Sequence, residues 1–215
     1  ILCFTDRGRV HKLKVYELPL ASRTAKGKAV INLLPLRQDE NEKVRQILPV
    51  SIPVEEHNAW DLVFATALGR VKKTALSAYA NIRTGGFYAV DLVEGDDLIG
   101  VALLPALPND MAVAAAAAGD DDDEAVEVEE VEEVEEAPTN EQIAEEPGRI
   151  MLFSRSGKVV RFHRSRVRRM GRVARGVMGM RLKDDNRVIS LTILEPGCQI
   201  LTITENGFGQ RTDES

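Results

Sequence analysis

Aromatic side chains make up 5% of the 215 residues, with one tryptophan. So few rings argue against a stacking platform for single-stranded bases. Cysteine is scarcer still: Cys3 and Cys198 lie in or beside apolar, strand-like runs, without a C-x-x-C spacing or a histidine nearby. Both read as reduced core residues, not as a disulfide framework or a metal site. The three histidines, His11, His57 and His163, show no metal spacing and no nucleophile partner, and are expected to be surface or incidental residues. No apolar run approaches the ~18 residues of a membrane helix and no signal peptide is visible, so a soluble cytoplasmic chain with no membrane partner is expected. The Gly-Lys of "RTAKGKAV" lacks the leading glycine and the Ser or Thr of a phosphate-binding loop. Asp120–Asp123 lack the glycine and spaced ligands of a calcium loop. Catalytic residues, metal and cofactor are therefore all expected to be absent.

Positive charge is missing from one long stretch. Residues 106–148 hold 16 of the 34 acidic residues and none of the 28 Lys and Arg. The formal net charge of -6 is thus an average over unlike parts, because the remainder carries 28 basic against 18 acidic residues, a net of +10. The acidic segment centres on "GDDDDEAVEVEEVEEVEEAP" (119–138), and the opposite run, "RFHRSRVRRMGRVARG" (161–176), carries seven arginines and no acid. Valines 128, 131 and 134 have helical spacing, but like-charged glutamates at i, i+4 repel and the apolar surface is too small to fold alone. The segment reads as a disordered insertion.

What the chain does contain is an internal repeat. "ILCFTDRGRVHK" (1–12), "LVFATALGRVKK" (62–73), "IMLFSRSGKVVR" (150–161) and "ILTITENGFGQR" (200–211) each join an apolar run to Thr or Ser, two variable residues, a glycine, and a basic residue four positions later. The anchors are Gly8, Gly69, Gly157 and Gly207, with Thr5, Thr66, Ser154 and Thr204 three residues before them. An apolar β-branched run ending in a glycine turn and followed by a second strand is a β-hairpin. About 17 to 19 residues after each of the first three anchors comes a second landmark, "SRTAKGKAVINLLPL", "IRTGGFYAVDLVEGDDLIGV" and "VARGVMGMRLKDDNRVISL". Each supplies a turn glycine (Gly27, Gly86, Gly176), an apolar strand, a polar turn and another strand. Anchor spacings of 61, 88 and 50 residues, with the acidic segment removed from the second, give a period near 50. Four strands per unit, repeated, predict an all-β, propeller-like fold of four-stranded blades, incomplete at about three and a quarter blades. Residues 1–105 form the first two blades, 106–148 the insertion, 149–199 the third blade and 200–215 the start of a fourth. Beginning at Ile1 inside an apolar run, the chain reads as an excerpt from something longer. Tyr16, Tyr79 and Tyr88 sit in repeat contexts and are expected to be packing residues.

Basic residues recur at matching places in these units. After the anchors come Arg9, Lys12 and Lys14; Arg70, Lys72 and Lys73; Lys158, Arg161 and Arg164; and Arg211. Near the second landmarks come Arg23, Lys26 and Lys28; Arg83; and Arg168, Arg169, Arg172 and Arg175. Equivalent positions of a radially repeated sheet fall on one rim, so these residues are expected to form a continuous basic band. Such a band fits the backbone of duplex DNA, bound without sequence preference and with strong salt dependence. Lysines that merely guard strand edges against pairing would explain one strand, and less readily a pattern present in every unit.

The three segments "ILCFTDRGRVHKLKVYELPLASRTAKGKAVINLLPL", "RVKKTALSAYANIRTGGFYAVDLVEGDDLIGV" and "GKVVRFHRSRVRRMGRVARGVMGMRLKDDNRVISL" resemble the C-terminal domain of bacterial DNA gyrase A. The resemblance covers nearly the whole chain outside the insertion. It implies a β-pinwheel whose blades exchange strands and whose perimeter binds and bends DNA, supporting ATP-dependent negative supercoiling by an A2B2 assembly with gyrase B. The rim role then falls on the Lys and Arg positions given above. The family's Gln-Arg-Arg-Gly-Gly-Lys-Gly box is not present; "SRTAKGK" (22–28) holds the equivalent place in its own unit. The catalytic tyrosine and the ATPase component of such an enzyme lie outside this chain, and the acidic insertion departs from the common pattern. Two other readings stand beside this one: the corresponding C-terminal domain of topoisomerase IV, and a propeller serving as a protein-interaction scaffold.

Overall fold

The computed structural model describes residues 1–37, 39, 41–108, 110, 148–183 and 185–213. The predicted disorder of the acidic insertion falls almost wholly outside them. Every strand pairing is antiparallel, in successive small sheets. The first sheet takes β1 (Leu2–Thr5), β2 (Arg9–Lys12) and β3 (Val44–Leu48) from the first unit. The second takes β4 (Trp60–Thr66), β5 (Arg70–Ala75) and β7 (Leu98–Pro105) from the second. In the third are β8 (Arg149–Ser154), β9 (Val159–His163) and β11 (Val188–Leu194). β12 (Gln199–Ile203) and β13 (Gly209–Asp213) form a hairpin.

Two short strands do not stay with their own unit. β6 (Phe87–Tyr88) belongs by sequence to the second unit but completes the first sheet, giving the order β3-β1-β2-β6. Likewise β10 (Val177–Met178), from the third unit, completes the second sheet as β10-β5-β4-β7. The molecule is thus an incomplete all-β propeller-like array whose four-stranded blades exchange strands.

The hairpin turn is the repeated local structure that permits this exchange. In all four units the Thr or Ser carbonyl accepts from the anchor glycine amide at 2.9–3.1 Å. Its hydroxyl accepts from the amide one residue beyond that glycine, at 3.2 Å from Arg9, Arg70 and Phe208 and 2.9 Å from Lys158. In the first two units the glycine carbonyl receives the next unit: Gly8 accepts from Ala89 at 2.7 Å and Val90 at 3.3 Å, and Gly69 from Gly179 at 2.9 Å and Met180 at 3.0 Å. A Cβ on Gly69, whose φ is +84°, would lie 2.2 Å from the Met180 carbonyl oxygen. The crossing segments fit as closely from the other side, since a Cβ on Gly86 or Gly176 would come within 2.6 Å of the Val10 carbonyl or 2.5 Å of that of Val71. In all three larger sheets the ladder register shifts opposite the Thr or Ser, with the extra residue on β3, β7 or β11, which bends that strand there.

Packing between blades follows from strand alternation. Leu62 and Phe64 of β4 face the first blade, joining Leu2, Phe4, Val10, Leu76 and Tyr79 in one core. Val63 and Ala65 of the same strand face the third, joining Val71, Ile150, Leu152 and Met180 in another. A strand covered on both faces reads as an unbroken apolar run, as Leu62–Ala65 does. Phe4, Phe64 and Tyr79 meet with ring centroids 5.6–6.4 Å apart, and each such burial is worth about 1.5–3 kcal/mol.

Two expectations need correction. The landmark "SRTAKGKAVINLLPL" (22–36) is expected to supply an apolar strand, a polar turn and another strand; instead Val30–Asn32 is a 3-10 turn, and the unit's next strand comes later, at Val44–Leu48. The corresponding segments of the second and third units, β6 and β10, pair with the hairpin of the preceding unit. Of the three tyrosines, Tyr79 is buried, whereas Tyr16 and Tyr88 are exposed.

The close contact at Gly69 makes a direct comparison possible. Both Gly69→Ala and Gly157→Ala place a side chain at positive φ, a penalty of about 1–2 kcal/mol. Nothing lies within 4 Å of a Cβ at Gly157. Gly69→Ala should therefore lose about 1–3 kcal/mol more, read as a lower urea midpoint of the full chain; equal midpoints would contradict the close approach.

Candidate nucleic-acid interface

The cations aligned by the repeat do not all reach the surface. Arg9 is buried, donating from one Nη to Glu42 Oε2 at 3.0 Å and from the other to the Gly85 carbonyl at 2.7 Å. Burial alone would raise the Glu42 carboxyl, but the Arg37 amide, the Thr5 hydroxyl and Arg9 together hold it below its ordinary value. Lys72 is 1% exposed, with Nζ donating to the Ala89 carbonyl at 2.6 Å and to that of Arg172. Arg70 is half-buried and reaches the Gly176 carbonyl at 3.2 Å.

Lys73, Arg164 and Arg169 join one internal network at the junction of the second and third blades. Arg169 Nε donates to Asp61 Oδ1 at 2.8 Å, and its two Nη atoms to the carbonyls of Asp110 and Asn58, both at 2.9 Å. Lys73 Nζ lies 2.5 Å from Asp110 Oδ2. Arg164 donates to the Pro105 carbonyl at 2.5 Å. Asp61 is fully buried, and this burial raises its carboxyl above the ordinary value even though Arg169 and Lys73 oppose the shift. Six of the eighteen rim positions thus serve the junctions between blades: Arg9, Arg70, Lys72, Lys73, Arg164 and Arg169.

The other twelve are exposed: Lys12, Lys14, Arg23, Lys26, Lys28, Arg83, Lys158, Arg161, Arg168, Arg172, Arg175 and Arg211. Most lie on one kind of segment, the loop that leaves the hairpin, which in the second and third units crosses to the preceding blade. The first unit's loop carries Lys14, Arg23, Lys26 and Lys28; the third carries Arg168, Arg172, Arg175 and also the exposed Arg166, which alignment on the anchors passes over. Arg166 belongs to the same arginine run, and the run itself was the signal. The second unit's loop has Arg83. Charge is therefore concentrated at the loops of the first and third units and thin between them.

Some exposed cations are held in place. Lys12 Nζ donates to the Ala80 carbonyl at 3.0 Å and Lys158 Nζ to that of Arg181 at 2.9 Å. The Arg172 guanidinium stands 4.4 Å over the Phe87 ring, and Arg175 lies 2.6 Å from Asp91. These arginines are presented by contacts through one side of the group, with the rest open to solvent. All three histidines, expected to be surface or incidental residues, are buried; burial lowers the His11 pKa, and neighbouring Arg9 adds to the effect. Among the described residues no three His, Cys, Asp or Glu gather as metal ligands, and no helix is long and apolar enough to cross a membrane. Asp120–Asp123 lie outside the described residues.

The division into buried and exposed cations has a measurable consequence. Arg169→Ala leaves the buried Asp61 without its ion pair and should destabilise the full chain by about 3–5 kcal/mol. Its exposed neighbour Arg168→Ala should change stability by less than about 0.5 kcal/mol. Chemical denaturation of the two variants reads the difference.

Comparison with known proteins agrees with this architecture. Residues 1–51, 61–105 and 148–195 match the model of the family described as "DNA gyrase C-terminal domain, beta-propeller". The chain is 41% identical over 212 residues to the DNA gyrase A protein of Salmonella typhimurium strain LT2 and, equally, to that of Escherichia coli K12. Each match covers 99% of this chain and 19% of the relative, so the chain spans about a fifth of their length. Among solved structures, the C-terminal domain of DNA topoisomerase IV superposes with a TM-score of 0.71 at 21% identity, covering 99% of this chain and 53% of that one. The DNA gyrase A C-terminal domain superposes at 0.65 and 15% identity, covering 99% and 54%. The structural likenesses carry the fold, the sequence matches carry the family, and the segments of the family model coincide with the three larger blades. The chain belongs to the DNA gyrase C-terminal domain, beta-propeller family, as part of that propeller.

Proposed function

We propose that the arginine- and lysine-rich loops of the first and third units hold the phosphate backbone of duplex DNA, so that the duplex bends around the outside of the blades. The chain would serve a gyrase A protein, paired with gyrase B in an A2B2 enzyme, by presenting a wrapped segment for ATP-dependent supercoiling. ATP, Mg2+ and the bond chemistry would belong to other parts of that enzyme. The observation that supports this reading best is the placement of Arg166, Arg168, Arg172 and Arg175 together on one solvent-facing loop with no acid in its sequence. Base recognition needs donors and acceptors aimed into a groove, whereas arginines on a convex loop meet phosphates first. Sequence-independent binding in the bacterial cytoplasm follows.

A topoisomerase IV reading would place the same cations on the same loops, and the sequence matches favour gyrase. A protein-interaction scaffold would leave the loop charges without a polyanion to neutralise. Salt titration of duplex binding by the full chain separates these readings. Contact with about 6–10 phosphates should weaken affinity by roughly 10³–10⁵ between about 50 and 200 mM salt. Arg168→Ala and Arg172→Ala should each lower the slope of log affinity against log salt by about 1. Arg9→Ala should lower stability while leaving that slope unchanged. A flat salt response would refute the DNA reading and favour the scaffold.

A further inference from the structure

Lys72 is a cation that the rim reading leaves unused. It is 1% exposed on β5, and the face it occupies is closed by parts of two other strand exchanges. Its Nζ donates 2.6 Å to the Ala89 carbonyl, in the segment that has crossed onto the first blade and whose own amide binds Gly8. The same Nζ donates to the Arg172 carbonyl, in the loop that crosses from the third unit onto the second blade. Lys72 therefore joins two consecutive exchanges through one atom.

A second path closes the circuit. The Arg172 guanidinium lies 4.4 Å over Phe87, Phe87 stacks on Tyr79 at 6.0 Å, and the Tyr79 hydroxyl donates at 3.0 Å to the same Ala89 carbonyl that Lys72 uses. Each element around Lys72 can be named. On its own strand, Arg70 and Thr74 share its face two residues away on either side. β4 contributes the uncharged Phe64 ring, 5.3 Å from Nζ. The 3-10 turn Leu76–Tyr79 brings the Tyr79 phenol, which burial keeps neutral well past its ordinary pKa. The crossing loop of the third unit brings Arg172, which is exposed to solvent.

We infer that Lys72 is a positioning residue for the Arg172 loop, and that seating DNA phosphate on this loop is accompanied by uptake of a proton at the Lys72 amine. The inference rests on the DNA reading above. A neutral amine has two N–H donors, enough for both carbonyls, and an ammonium adds a third together with a charge. In the free protein, burial first and repulsion from Arg172 second lower the Lys72 pKa to about 7. A phosphate on Arg172 offsets that repulsion and adds a negative charge nearby, so the ammonium form gains. Binding then raises the pKa from its depressed value towards the ordinary one. Protons are taken up between the two values, and affinity grows as pH falls through the interval above about 7, levelling off below it.

Calorimetry of duplex binding by the full chain, in two buffers of different ionisation enthalpy, counts the protons directly. Wild type should take up as much as one proton per chain, most strongly just above pH 7, with little uptake at about pH 5. Lys72→Met, which removes the donors and the titration, and Lys72→Arg, which keeps donors and a fixed charge, should both abolish the uptake. Lys72→Arg should also retain binding whose affinity lacks the Lys72-dependent rise towards acid. Salt-dependent binding by wild type without proton uptake, or uptake undiminished in Lys72→Arg, would overturn this inference and leave the DNA reading intact. Absence of duplex binding in wild type at low salt would instead remove the DNA reading, and this inference with it. If Lys72→Met does not fold, the wild-type proton count and the Lys72→Arg variant still decide.

Discussion

The organisation of this chain depends on one constraint: a backbone carbonyl at the tip of each completed hairpin is claimed by the next unit, at a distance that leaves no room for a side chain. Gly8 and Gly69 meet it by lacking a Cβ and by adopting positive φ, +74° and +84°. Once the next unit's amides are bound there, β6 and β10 fall beside β2 and β5, and the two interblade cores close on either side of β4. The charge networks come afterwards, since Arg9, Lys72 and Lys73 are buried by segments that arrive through this exchange. Polar groups taken out of water in this way need partners, and in all three at least one partner is a carbonyl of the following unit: Gly85 for Arg9, Arg172 for Lys72 and Arg164 for Lys73.

Much of the fold was legible because the hairpin repeats. The Thr/Ser-x-x-Gly spacing marks four turns with the same pair of hydrogen bonds, and apolar alternation marks the strands around them. Residues 29–36 misled because an apolar run signals burial without naming the strand that would pair with it. The histidines misled for a related reason: isolation from metal ligands says nothing about whether a neighbouring blade will cover the ring.

The rim was legible in outline and not in detail. Lys12 and Lys73 are equivalent by sequence, each four residues beyond an anchor glycine, yet one is exposed and the other is 1% exposed. The difference lies in what packs above them: the Met170 amide binds the Lys73 carbonyl and Arg169 bridges to that residue, whereas Lys12 meets the Ala80 carbonyl at the edge of a shorter loop. A repeat fixes which positions are equivalent, and the neighbours decide which are available to a ligand. Aligned cations therefore divide into a structural set at the junctions and a solvent-facing set on the crossing loops, with opposite expected effects on stability and binding.

Strand exchange also bears on how such a chain accommodates added length. Each completed blade joins segments far apart in sequence: Val10 pairs with Phe87, and Val71 with Val177. These contacts span 77 and 106 residues, the second enclosing the acidic segment. Closure entropy grows with the logarithm of loop length, so the longer closure costs only about 0.3 kcal/mol more. A topology already committed to distant pairings is nearly indifferent to a further forty residues in the connection. The same segment placed within a hairpin would separate strands that otherwise meet across a short turn. Between residues 110 and 148, added or lost length therefore changes the closure entropy of the second blade by only about 0.3 kcal/mol.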